Sequence, residues 1–290
     1  AHGCAALARS GHGDYSVCHI EHGLRGAEAL QDMQLVQRFC AAYGLPCYVE
    51  HVDVRALAAA EHLSVEDAAR RLRYEALRRV AAQVGAAAIV TAHHEGDQAE
   101  TVLLKLVRGA GLDGLSGMRT QQGNILRPLL SLPRELLEQY CAAEQLEFCH
   151  DSTNDDTAYT RNSVRKELLP LLAERYNAEI VPALARTALL LGEDADFLTQ
   201  TAAAAYARLV TSAEDGLHIA LKPLLAEHIA VRLRVLRRAY FELGGSELSF
   251  ERSRALAALC ERRSGGRLIQ LPGGITATIK NKQIIFTRLS

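Results

Sequence analysis

Ala86-Ala87-Ala88-Ile89-Val90-Thr91-Ala92-His93-His94-Glu95-Gly96-Asp97-Gln98-Ala99-Glu100-Thr101 is the stretch whose reading decides the fold. Its opening run, Ala86 to Val90, is uninterrupted apolar and reads as a fully buried strand. The spacing of Val102, Leu103, Leu106 and Val107 predicts a helix that begins directly after the polar cluster. A buried strand passing straight into a helix is the repeating unit of an open α/β sheet. In such sheets, ligands lie outside the carboxyl ends of the strands, where helix N-termini converge on a crevice. Histidines, acids and an amide are thus crowded where a substrate binds. The other reading of the same residues is a solvated turn in which Asp97 simply caps the helix.

Working outward, the first half of the chain alternates. Residues 16–20 read as a strand, 27–43 as a helix stopped by Gly44, 47–52 as a strand and 64–84 as a helix closed by Gly85. Ser64 with Asp67 makes a capped, acidic helix start, and Ala68, Leu72, Ala76 and Val80 supply its apolar stripe. The pattern is that of a parallel sheet covered by helices. Residues 134–172 read as mostly helical, interrupted by the loop-forming run Asp151-Ser152-Thr153-Asn154-Asp155-Asp156, which either holds a ligand or caps itself. Residues 182–208 form a long alanine- and leucine-rich stretch that reads as a connecting helix. The expected organisation is therefore a first domain over 1–185, a connecting helix over 186–208 and a second domain over 209–290. Near the end, Leu271-Pro272-Gly273-Gly274 reads as the turn of a hairpin.

Bulk properties narrow the function classes. With 290 residues, 49% of them hydrophobic, the chain has enough apolar material for two cores. A formal net charge of −1 argues against indiscriminate polyanion binding, so any nucleic-acid contact needs a local patch. Such a patch exists: residues 227–267 hold nine arginines against five glutamates and no lysine, and Arg234, Arg237 and Arg238 share a helical face. A solvated helix paired with nearby glutamates is the alternative. Seven cysteines without a C-x-x-C pair or metal-ligand spacing fit reduced thiols and no metal site. With no membrane-length apolar run and no basic-then-apolar leader, a cytoplasmic protein is expected, with no membrane partner. The chain opens at Ala1 rather than methionine, and the expectation is that part of its first structural element lies outside this stretch.

Four clusters sit at loops or helix starts of the first half: His22-Gly23-Leu24-Arg25-Gly26, Ser64-x-Glu66-x-Ala68-Ala69-Arg70-x-x-Arg73-Tyr74, His93 to Thr101, and Arg108-Gly109-Ala110-Gly111-Leu112. With Asp151-x-Thr153-Asn154, Arg161-Asn162, Arg165 and the terminal Leu271-Pro272-Gly273-Gly274, they resemble the tRNA(Ile)-lysidine synthetase family of the N-type ATP pyrophosphatase superfamily, over nearly the whole chain. The resemblance implies an α/β fold with a Rossmann-like parallel sheet, of the adenine nucleotide alpha hydrolase type, and a smaller, mainly helical C-terminal domain that binds tRNA. It implies that ATP adenylates the C2 oxygen of the wobble cytidine in tRNA(Ile) with a CAU anticodon, after which the ε-amine of L-lysine displaces AMP.

The residue roles implied are as follows. Arg70, Arg73 and Arg108 face the α-phosphate, with Mg²⁺ bridging the phosphates, because charge accumulating there must be offset. Asp97 and Glu100 hold lysine, Asp97 being also a candidate Mg²⁺ ligand, and His93 or His94 accepts the amine proton. His22, Gly23, Arg25, Thr91, Gly109 and Gly111 contact the nucleotide. Asn154, Arg161, Asn162 and Arg165, with Arg234, Arg237 and Arg238, contact tRNA. Conventional pairings stay open beside these: Arg73 with Glu66 or Glu75, Glu100 with Lys105, and His22 as a loop residue without a ligand.

Two departures from the family stand out. Its Ser-Gly-Gly-x-Asp-Ser phosphate loop is absent from this sequence, so efficient ATP turnover by this polypeptide is not expected. Gly96 occupies a position where family members commonly carry an acid. Two rival readings are a tRNA-thiolating ATP pyrophosphatase, which calls for reactive cysteines, and a non-catalytic tRNA-binding fragment. A homodimer is compatible with all of them.

Overall fold

Residues 1–23, 26–149, 160–261 and 268–288 are described in a computed structural model of the chain. They divide into two units, Ala1–Leu189 and Leu190–Ser290.

In chain order the first unit contains helix α1 (His2–Arg9), strand β1 (Val17–Glu21), α2 (Ala27–Tyr43), β2 (Cys47–His51), α3 (Val54–Glu61), α4 (Val65–Gln83), β3 (Ile89–Val90), α5 (Glu95–Val107) and α6 (Leu112–Leu115). Short strands β4 (Gln121–Gln122) and β5 (Ile125–Leu126) follow, then α7 (Arg134–Ala143), α8 (Thr160–Ser163), a widened helical turn over Val164–Leu168 and α9 (Leu169–Arg175). Helix α10 (Ile180–Leu209) begins in this unit, and the division falls within it. β1 and β2 pair in parallel with Val17 opposite Cys47, and β3 pairs in parallel with β5 with Ile89 opposite Ile125. The parallel pairing expected from the sequence is present in both, but β1-β2 and β3-β5-β4 are separate sheets, and β4 pairs antiparallel to β5 with Gln121 opposite Leu126.

Local chemistry explains most boundaries. Ser64 Oγ accepts the Asp67 N–H at 3.0 Å and donates to the Asp67 carboxylate at 2.7 Å, so the predicted helix start is a true cap. At the other end of α4, Gly85 adopts φ +67°, and the Ala86 N–H returns to the Ala81 carbonyl at 2.8 Å. That bond keeps Ala86 tied to the helix, and β5 offers a ladder only from residue 125. The predicted strand over 86–90 therefore shrinks to Ile89–Val90. The first strand is likewise shifted, to Val17–Glu21 rather than 16–20.

The apolar face of α5 is also shorter than its spacing suggests. Ala99, Val102 and Leu103 are buried, and Ala99 and Leu103 pack with Val164 and Leu169. Leu106 and Val107 are exposed, because that cluster underlies only the first turns of the helix.

The second unit continues from α10 with β6 (Val210–Ala213), β7 (Gly216–Ala220), α11 (Leu221–Ala226), α12 (Ile229–Glu242), α13 (Phe250–Glu261), β8 (Leu268–Leu271), β9 (Ile275–Lys280) and β10 (Gln283–Arg288). Its antiparallel sheet has the order β6-β7-β10-β9-β8, and α11, α12 and α13 contribute Leu224, Val235, Leu236, Tyr240 and Leu256 to one core with Ile219, Ile275, Ile284 and Phe286 of the sheet. The Pro272-Gly273-Gly274 turn closes the β8–β9 hairpin, with Leu271 opposite Ile275.

Candidate functional site

The site is built where β3 ends. The Thr91 N–H makes the last ladder bond, to the Leu126 carbonyl at 2.9 Å, after which the chain leaves the sheet. His94 then caps α5. Its Nδ1 accepts the Gly96 N–H at 3.0 Å, and the Asp97 Oδ2 accepts the His94 N–H at 3.0 Å, closing a reciprocal capping box. The cap is thus His94 and not Asp97 alone. The same geometry accounts for Gly96: a Cβ there would stand 2.9 Å from the His94 ring, so an acid at this position requires the ring to move.

One turn further on, Glu100 is 2% exposed and is gripped by two arginines. Arg161 Nε donates to Glu100 Oε2 at 2.6 Å, while Arg165 donates through Nε to Oε1 at 2.5 Å and through Nη2 to Oε2 at 3.1 Å. Asp97 Oδ1 accepts longer bonds from Arg161 Nη2 at 3.2 Å and Arg165 Nη2 at 3.5 Å. Two partly buried cations and two carboxylates thereby close into one compensated network. Burial alone would lower the Arg165 pKa, but the hydrogen bond and charge of Glu100, with Asp97, raise it above the ordinary arginine value. Glu100 meets these arginines and not Lys105.

His93 sits beside this network, its Nδ1 2.9 Å from the Thr91 hydroxyl. Burial pushes its pKa down to about 4; Asp97 opposes the shift, and the cations of Arg127, Arg161 and Arg70 reinforce it. His93 is therefore a neutral imidazole at neutral pH. Arg70 is exposed on α4 and lies over the Tyr74 ring, 5.3 Å from its centroid. Arg73 Nη2 lies 3.2 Å from His22 Nε2, which joins α4 to the end of β1. Glu75 hydrogen-bonds Arg71 at 2.9 Å. The Gly23 N–H donates to Glu21 Oε1 at 2.8 Å, beside a cavity of about 300 Å³ lined by Glu21, Gly23, Gly26, Leu30, Met33 and His51. A larger depression of about 510 Å³ lies elsewhere, between α2 and residues 146–149, away from the histidines.

Two groups result: Thr91, His93, His94, Asp97, Glu100, Arg161 and Arg165 where β3 passes into α5, with the charge of Arg70 acting on His93, and His22 with Arg73 where β1 ends. Arg108, Gly109 and Gly111 follow the far end of α5, which sets Arg108 about 17 Å along the helix axis from Asp97 at 1.5 Å per residue. Arg25 and Asn154, with the loop over 151–156, lie outside the described residues. Asn162 is buried on α8. In the second unit, Arg234 donates to the Ala230 carbonyl at 3.3 Å, Arg237 is half-buried, and Arg238 lies over the Tyr206 ring at 4.3 Å. Arg232, counted within the basic stretch, is instead buried and paired with Glu261 at 2.9 Å.

A resident Mg²⁺ on Asp97 does not fit this arrangement. Asp97 Oδ1 faces two guanidiniums and Oδ2 accepts the His94 N–H. Among the described residues, no group of three His, Cys, Asp or Glu could hold a metal. Sequence reasoning missed Arg127, which follows β5 and is 2% exposed. Its only local signal was a charged residue ending the short apolar Ile125-Leu126 run.

Comparison with known proteins supplies an independent view. Residues 2–172 match the family model described as a PP-loop domain. The chain is 39% identical over 280 residues to a tRNA(Ile)-lysidine synthase from Geobacter sulfurreducens, a match covering 95% of this chain and 59% of the relative. It is 33% identical to the enzyme of that name from Clostridium acetobutylicum, covering 90% and 58% of the two chains. The chain thus spans somewhat under two-thirds of the length of these curated relatives. Among solved structures it is similar to a U34-tRNA thiolase, NcsA, from Methanococcus maripaludis, described with its [4Fe-4S] cluster. The TM-score is 0.50 at 15% identity, with 61% of this chain and 62% of that one covered, a likeness of fold.

Proposed function

Because the chain belongs to the PP-loop domain family, we propose that it serves ATP-dependent ligation of L-lysine to C2 of the wobble cytidine, position 34, of tRNA(Ile), forming lysidine. In this reaction the C2 oxygen of the base attacks the α-phosphorus of ATP and expels pyrophosphate. The lysine ε-amine then attacks C2, AMP leaves with the oxygen, and the amine's proton passes to a base. The observation that carries the reading is the charge network at the start of α5, with a neutral imidazole against it, in a chain 39% identical to a tRNA(Ile)-lysidine synthase.

The proposed roles are supported by the contacts of each side chain. Arg70 and Arg73 offset charge on the α-phosphate. His93, held as a neutral imidazole by burial beside Asp97, accepts the amine proton. Asp97, whose arginine contacts are the longer ones, receives the lysine ammonium. Glu100 acts at one remove, by holding Arg161 and Arg165 in place, and those two arginines are assigned to the network in preference to tRNA. Arg234, Arg237 and Arg238 on α12 contact the tRNA backbone. Mg²⁺ is not placed on Asp97.

The test is an incubation with ATP, L-lysine and a tRNA(Ile) transcript, following pyrophosphate release and the mass of the anticodon fragment. Release that requires both lysine and tRNA, with the lysine mass added, supports the reading. Release with sulfide in place of lysine indicates thiolation, and salt-sensitive tRNA binding without release indicates a binding-only protein.

A further inference from the structure

Arg127 is held as few surface arginines are. Its N–H bonds the Thr120 carbonyl at 2.7 Å, and its Nη1 donates to the Arg119 carbonyl at 2.9 Å. Only 2% of the residue is exposed. Among the described residues its buried Nε has no acceptor, and no carboxylate pairs with its guanidinium. Arg232 provides the contrast within the same chain. It too is buried with an unaccepted Nε, yet a carboxylate, Glu261, stands 2.9 Å from its Nη1. A buried cation without a counter-ion is costly, and an unsatisfied donor adds to that cost.

The position of Arg127 says what could relieve this. β5 runs parallel to β3 with Leu126 opposite Val90, so Arg127 emerges at the carboxyl edge of the sheet, level with Thr91 and next to the His93 segment. His93 feels the charges of Arg127, Arg161 and Arg70 together, with Asp97 opposing. Asp97 and Glu100 are already engaged by Arg161 and Arg165. The edge therefore carries an excess of positive charge that the described side chains do not neutralise.

We propose that Arg127 is an oxyanion-binding residue whose buried Nε–H, beside His93, takes an oxygen of a bound phosphate or carboxylate. The inference rests on the functional reading above, in which the two sources are the phosphates of ATP and the carboxylate of lysine.

Titration calorimetry of wild type, Arg127→Lys and Arg127→Gln with ATP, L-lysine and inorganic pyrophosphate tests it. Arg127→Lys keeps the charge while removing the planar donor fork, which guards against a variant that merely misfolds. Both variants should weaken ATP or lysine binding at least tenfold. Loss of ATP identifies a phosphate partner and loss of lysine a carboxylate. Variants that bind both ligands within twofold of wild type overturn the role of Arg127 and leave the lysidine reading standing. In wild type alone, pyrophosphate should also shift the His93 ring resonance in an NMR titration. If wild type binds neither ATP nor lysine but shows this shift, the oxyanion site stands and the lysidine reading falls; no binding and no shift ends both.

Discussion

Glu100→Gln isolates the charge of the network from its shape. Glutamine fills nearly the same volume, so no cavity opens, and what is lost is the negative partner of bonds at 2.6, 2.5 and 3.1 Å. Arg161 and Arg165, with side chains 21% and 28% exposed, are then left with Asp97 at 3.2 and 3.5 Å. Removing one member of a buried ion pair costs about 3–5 kcal/mol. Partial hydration of the arginines and the surviving Asp97 contacts place this case at the lower end, about 3 kcal/mol. For a unit of this size that corresponds to a fall in Tm of roughly 6–12 °C. Asp97→Asn, which removes only the longer bonds, should cost about 1 kcal/mol. Urea unfolding at pH 7, followed by circular dichroism, measures both. A Glu100→Gln protein within 0.5 kcal/mol of wild type, or one more stable than Asp97→Asn, would refute the view that Glu100 anchors the two arginines.

Three further outcomes are expected. Gly117 has φ +63°, and a Cβ there would lie 2.6 Å from Gln98 Oε1, the atom that accepts the Met118 N–H at 2.8 Å. Gly117→Ala should destabilise this clamp by about 3 kcal/mol and speed hydrogen exchange of the Met118 amide about 100-fold; unchanged exchange counts against it. His93 titrates near pH 4 in the folded protein, against about 6.5 for an ordinary histidine. Between those values the unfolded chain binds a proton that the folded chain does not, so stability drops as pH falls from about 6.5 to about 4, by at most about 3 kcal/mol. Urea titrations at pH 7 and pH 4.5 should show this increment in wild type and not in His93→Gln, and identical pH dependence of the two would disprove it. Burial pushes the Cys40 thiol up to about 11 and the Cys260 thiol up to about 12. Iodoacetamide at pH 8 should therefore modify exposed Cys149 well before either, as read by peptide mass spectrometry. Equal labelling rates contradict the burial.

What could be read from the amino-acid order alone was whatever depends on neighbours within a turn or two. The Ser64 cap, the stop at Gly44, the strand-to-helix passage at 89–95 and the turn at Pro272-Gly273-Gly274 are all of this kind, since caps, left-handed stops and apolar periods act through bonds a few residues long. The crowding of His93, His94, Asp97 and Glu100 was visible for the same reason. Their partners were not. Arg161 and Arg165 meet Glu100 from 61 and 65 positions away, and their pairing depends on Val164 and Leu169 packing against Ala99 and Leu103. Similarly, Arg127 gained its place only when β5 paired with β3. Charge pairs across a fold are chosen by which apolar faces meet, and that is decided by packing over the whole unit, beyond the reach of any local pattern.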